Sequence, residues 1–129
     1  MLWPVPETSQ LPFAVFGATG QQGGAVVDAL LDRGAAVRAI VRNRDSVRAR
    51  ALSARGVSVV SADHGDVVAM TAALLDVAGV FLMTTYDDAS GGTEGEIRRG
   101  RAVAEVAARA GVPHVVYSSV GGAWLRRNR

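Results

Sequence analysis

Three glycines at three-residue spacing, in Gly17-Ala18-Thr19-Gly20-Gln21-Gln22-Gly23, lie between a short apolar run and an amphipathic stretch. Each does something a Cβ obstructs. The first permits a tight turn, the second lets backbone approach a pyrophosphate, and the third lets a helix pack closely on a strand. The helix that follows turns its unpaired N–H groups and the positive end of its dipole toward the same point, which attracts anions. The chemistry implied is the cradling of a phosphate. The competing reading, a tight strand-to-helix turn and nothing more, is disfavoured by the strand before the glycines and the helix after them.

Arg42 ends the next apolar run, about 20 residues beyond the last glycine, where a dinucleotide-binding fold faces the adenine ribose. An acidic residue there accepts from a free 2′-hydroxyl, whereas an arginine pairs with a 2′-phosphate. NADP(H) is therefore favoured over NAD(H). Arg44 and Arg48 add positive potential, or all three arginines, Arg42 included, are exposed residues at a helix entry. Asp63 and His64 follow the third apolar run, and the carboxylate either accepts from the exocyclic amine of adenine or serves as a turn residue before Asp66. Thr84, Thr85 and Tyr86, after the fourth run, border the centre of such a ligand. Ser118 and Ser119, after the fifth, lie near the nicotinamide, or these hydroxyls belong to loops and helix caps.

The elements that must position these residues alternate. Phe13–Phe16, 37–41, 57–60, 80–83 and 115–117 read as short buried strands, and 21–33, 45–55, a segment after Asp66 and 93–110 as helices. Val26 with Leu30 and Val27 with Leu31 give the first helix an apolar face, and Gly34 stops it. Asp66 is the expected N-cap of the third helix, with Val67, Met70, Leu74 and Val77 along one face. This alternation predicts an α/β, doubly wound, all-parallel sheet of Rossmann type in order 3-2-1-4-5, with ligand bound where the order reverses, between strands 1 and 4. The division expected is a lead-in over 1–11, one nucleotide-binding domain over 12–120 and a short basic tail over 121–129.

Composition removes other classes. With 129 residues, 49% of them hydrophobic, the chain is long enough for one domain with a core. It has no cysteine and only His64 and His114, which leaves no thiolate or histidine metal cluster and fits a reducing cytoplasm. All 14 basic residues are arginine, three of them among the last four residues, and the rest of the chain is near neutral. A nucleic-acid-binding face is not expected, nor a membrane span, since no apolar run approaches the required length. Arg98, Arg99 and Arg101 mix with Glu94, Glu96 and Glu105 and read as a solvated helix face.

Together Val15–Gly24, Val37-Arg-Ala-Ile-Val-Arg-Asn43, Ala62-Asp63, Val80-Phe-Leu-Met-Thr84 and 111–119 resemble the NmrA-like family of atypical short-chain dehydrogenases/reductases. The resemblance implies NADP(H) on the glycine loop, with Arg42 and neighbours such as Asn43 at the 2′-phosphate. It also implies either a redox-sensing regulator or an NADPH-dependent reductase of quinone-like molecules. Relatives continue past residue 121, so the chain looks C-terminally truncated, with strand five an open edge available for self-association or a protein partner. Without lysine there is no Tyr-x-x-x-Lys pair, and Tyr117 is not a disguised catalytic tyrosine. No catalytic residue is expected. The leading expectation is a non-catalytic, sensing or regulatory NADP(H) module. The alternatives are an oxidoreductase completed by a longer chain or partner, and a truncated gene product whose last residues are non-native.

Overall fold

The structure is a computed structural model, described for residues 11–83 and 92–118. Strands and helices alternate along it: β1 (Phe13–Phe16), α1 (Gln21–Asp32), β2 (Val37–Val41), α2 (Val47–Ala54), β3 (Ser58–Ser61), α3 (Val67–Ala73), β4 (Gly79–Met83), α4 (Gly92–Arg109) and β5 (Val115–Ser118). The five strands form one parallel sheet in the order β3-β2-β1-β4-β5. The arrangement is the Rossmann-type order expected from the sequence.

The period-2 alternation of each strand divides the core into two layers. Ala14 and Phe16 of β1, Ile40 of β2, and Val80 and Leu82 of β4 pack with Met70 of α3, with Leu74 at the end of that helix, and with Val103 and Val106 of α4. Val15, Ala39, Val41 and Phe81 face the other way, against Val27 and Leu30 of α1 and Leu52 of α2. The central strand β1 is thus covered on both faces, and its carboxyl end is fixed where the glycine loop begins.

Helix ends follow local chemistry. Ser46 Oγ accepts from Ala49 N and Asp66 Oδ1 from Ala69 N, capping α2 and α3. Gly34 takes a left-handed φ of 74° beyond α1, its N–H donating to Leu31 O while Ala35 N donates to Leu30 O, which closes the helix in a Schellman turn. The same paired bonds close α2 and α4. Small departures from the sequence reading have physical causes. α2 starts at Val47 because Ser46 is its cap, and β3 starts at Ser58 because Val57 N donates back to Leu52 O. α3 ends at Ala73, and Asp76 adopts a φ of 55°, so Val77 reaches the core from a turn rather than from the helix.

Among the described residues β5 pairs with β4 alone, and Val115, Val116 and Tyr117 are exposed. Among the described residues, no helix is long and apolar enough to cross a membrane.

Candidate functional site

The carboxyl ends of β1, β2, β3 and β5 gather most of the residues singled out by sequence. Gly17, just past β1, has a φ of 65°, and its carbonyl accepts from Gly20 N at 2.9 Å, turning the chain toward α1. A Cβ on Gly23 would lie 2.0 Å from Gly17 O and 2.5 Å from Gly17 C, so α1 seats its first turn directly on the loop. Ala18 is buried beneath the loop, Thr19 is partly buried, and Gly20, Gln21 and Gln22 are exposed. Gly20 is the N-cap residue and offers no side chain to α1, whose first backbone bond is Gly24 N to Gly20 O. The N–H groups of the first turn therefore have no helical acceptor and face the loop's exposed side. Such a cradle fits a phosphate group.

Arg42, Asn43 and Arg44 are exposed beyond β2. Ser61 Oγ donates to Arg42 O at 2.9 Å, pinning the end of β2 to β3 while the guanidinium stays outside. Asn43 Oδ1 accepts from Asp45 N at 2.9 Å and shapes the turn into α2. From α2, Arg48 Nη1 donates to Thr19 O at 3.2 Å, so this arginine stands against the glycine loop itself.

After β3, Asp63 O accepts from Asp66 N and Asp63 Oδ1 from Gly65 N at 3.4 Å, so Asp63 performs turn duty. The His64 ring stacks on Phe16, centroids 5.7 Å apart at 21°, which places it over the end of β1. Its Nε2 is buried and has no hydrogen-bond partner among the described residues. Burial holds the imidazole below its ordinary value of 6.5; Asp63 opposes this, while the Arg99 and Arg42 guanidinium groups reinforce it. The neutral form prevails at neutral pH.

Ser118, at the end of β5, accepts from Gln22 Nε2 at 2.7 Å. The loop after β1 and the end of β5 are thereby joined across β4. Thr84, Thr85, Tyr86 and Ser119 lie outside the described residues, as do the lead-in before Leu11 and the tail after Ser119. Among the described residues, no group of three or more His, Cys, Asp or Glu side chains could hold a metal ion.

One residue belongs here that the sequence reading left on a solvated face. Arg98 and Arg101 are exposed, but Arg99 lies on the inner stripe of α4, one turn after buried Gly95 and one turn before buried Val103. The signal was its i, i+4 spacing to those two residues, masked by the surrounding mixture of Arg and Glu.

Comparison with known proteins places this geometry in a family. The NmrA-like family model matches residues 10–128. An NmrA-like family domain-containing oxidoreductase of Aspergillus japonicus is 42% identical over 116 residues, covering 88% of this chain and 34% of that protein. The NADPH-dependent quinone oxidoreductase of Escherichia coli, solved with NADPH, is 34% identical with a TM-score of 0.71, over 84% of this chain and 36% of that one. NmrA, a negative transcriptional regulator solved with NAD, is 28% identical with a TM-score of 0.75, over 91% of this chain and 36% of that one. The chain thus spans about a third of the length of the relatives it matches.

Proposed function

The chain belongs to the NmrA-like family, and from that premise we propose that it binds a nicotinamide dinucleotide, NADP(H) in preference to NAD(H), at the carboxyl ends of its strands. The observation that carries the reading is the cradle in which Gly23 closes on Gly17 O and α1 begins without a side-chain cap. In this reading the exposed N–H groups of Gln21 and Gln22 receive the pyrophosphate, and Gly17 through Gly20 keep side chains out of its path. Arg42, with Arg48 held against Thr19 and Asn43 shaping the turn between them, offers positive charge to a 2′-phosphate. Ser118 accepts from Gln22, so its own O–H is available to donate toward the nicotinamide half. The bound dinucleotide would supply hydride chemistry, and this chain would orient it and hold its charge.

The role we propose for this stretch of chain is binding and reporting, with Tyr117 given no catalytic part because the position four residues beyond it is Gly121 rather than a lysine. A reporter must bind NADP⁺ and NADPH with different affinity, or in different conformations. A second reading is favoured by one finding, the naming of relatives up to 42% identical as oxidoreductases: hydride transfer to a small acceptor whose pocket a further polypeptide completes.

Calorimetric titration with NADP⁺, NADPH and NAD⁺ tests the proposal. NADP forms should bind at micromolar level and Arg42→Ala should weaken them by on the order of tenfold or more, leaving NAD⁺ nearly unchanged. Equal binding of NAD⁺ and NADP⁺ by the unaltered chain removes the preference. No binding of either by the folded chain removes the function. Robust NADPH oxidation with a quinone would move the second reading ahead.

A further inference from the structure

Sulfur chemistry in this chain falls to methionine, since the sequence has three methionines and no cysteine. Met1 lies outside the described residues, and Met70 of α3 is 1% exposed in the core. Met83 differs from both. It ends β4 and is only partly buried. A Cβ built on Gly17 would lie 3.5 Å from both Cγ and Sδ of Met83, so the thioether fills the space beside the turn that opens the glycine loop. In the sheet register Met83 stands opposite Ser118, whose Oγ accepts from Gln22 Nε2 in the first turn of α1. The sulfur therefore lies where the strand order reverses, between β1 and β4, and its two neighbours are the loop and the strand end that the proposed dinucleotide would span.

A thioether is nearly apolar and only a weak acceptor, which suits a place beside a loop that must keep its N–H groups for an anion. A sulfoxide does not suit it. The added oxygen carries partial negative charge and accepts strongly, so beside Gly17 it would compete for those N–H groups, repel a phosphate and need room in a close contact. We propose that Met83 is an oxidation-sensitive site at which a peroxide, by converting the thioether to the sulfoxide, switches dinucleotide binding off. With hydrogen peroxide the sulfur gives up two electrons, an S–O bond forms as the O–O bond breaks, and the proton on the transferred oxygen passes to the departing one, which leaves as water. Methionine sulfoxide reductases reverse the change, two thiols becoming a disulfide as the oxygen leaves as water. This rests on the dinucleotide-binding reading above and gives the same site a control that answers to oxidant rather than to the ratio of NADP⁺ to NADPH.

The test treats the full chain with hydrogen peroxide, locates the added oxygen by peptide mass spectrometry and titrates NADP⁺ by calorimetry before and after. Met83 should be oxidised while Met70 stays a thioether, and affinity for NADP⁺ should fall on the order of tenfold. Treatment with methionine sulfoxide reductases A and B should restore it. Met83→Leu keeps the volume and removes the sulfur; it retains Met1 and Met70, and its affinity should not respond to peroxide. Met83→Gln, which puts a polar oxygen near the same place, should bind weakly without oxidant. Circular dichroism and unfolding midpoints establish that the oxidised chain and both variants are folded, and the reductase arm stands on the unaltered chain even if a variant is not. Unchanged affinity once Met83 carries the oxygen overturns the switch, as does an equal peroxide response in Met83→Leu. Oxidation of Met70 ahead of Met83, or loss of the fold on oxidation, makes the effect general damage and overturns it too. If the untreated chain binds NADP⁺ and any of these results follows, only this inference falls. If the untreated chain binds no dinucleotide, the dinucleotide reading falls with it.

Discussion

Gly23 and Gly24 are adjacent in one helix and have opposite tolerances. A Cβ at Gly23 meets Gly17 O at 2.0 Å, backbone against backbone, whereas one at Gly24 meets Ala18 O at an ordinary 3.5 Å. Gly23→Ala must push α1 off the loop and should cost roughly 1–3 kcal/mol, together with nucleotide binding. Gly24→Ala should instead stabilise by about 0.5–1 kcal/mol, since alanine is the better helix former. Urea denaturation of both variants checks the contrast. His64 gives a pH signature of definite sign. Its folded-state pKa lies below the unfolded value of 6.5, so the unfolded chain takes up a proton first. Its contribution to stability is whole above 6.5 and is lost as pH falls from there through the depressed folded value. His64→Phe should flatten that part of the stability-against-pH curve, measured by denaturant unfolding at successive pH values. At this scale the glycine loop was legible, because spacing alone carries its geometry. The neighbourhoods of His64 and Arg99 were not, since the ring stack and the inner stripe exist only once β1, β3 and α4 are assembled.

At the scale of elements, Arg38 is the residue whose role the sequence conceals. It sits within apolar β2, yet Nη1 donates to Ala73 O at 2.9 Å and to Leu75 O at 2.8 Å, the carbonyls at the end of α3. A cation at a helix C-terminus answers unpaired carbonyls and the negative end of the dipole together. Arg38→Met, which keeps the stem and removes the donors, should lower stability by about 1–3 kcal/mol, less if water reaches the partly exposed carbonyls. Thermal unfolding followed by circular dichroism provides the measurement. Strand identity was readable from runs such as Phe13–Phe16 because strands covered on both faces are continuously apolar. Element ends were less so. Val57 looks like strand sequence, but its N–H is committed to closing α2, and its side chain is buried there.

For the molecule as a whole, two apolar layers and one sheet order follow from alternation of strands and helices, which is why the architecture could be read in advance. Its weak margin is β5. Val116 is 59% exposed and Val115 and Tyr117 nearly half exposed, on a strand that, among the described residues, is paired along one edge. Such an edge recruits further strands. The 129-residue chain should self-associate with rising concentration, and Val116→Lys should return it toward monomer, as read by sedimentation velocity. A concentration-independent monomer with cooperative unfolding well above about 65 °C would contradict this expectation.

The sheet register also carries a consequence for synthesis. β1 meets β2 through Phe13 and Val37, but its other neighbour begins at Gly79, on the far side of two helices and another strand. As the nascent polypeptide leaves the ribosome, β1-β2-β3 can form while the future centre of the sheet still has an open flank and a bare apolar face. At translation rates of about 5–20 residues per second, that interval lasts seconds, long enough for a chaperone to bind the nascent chain before β4 emerges.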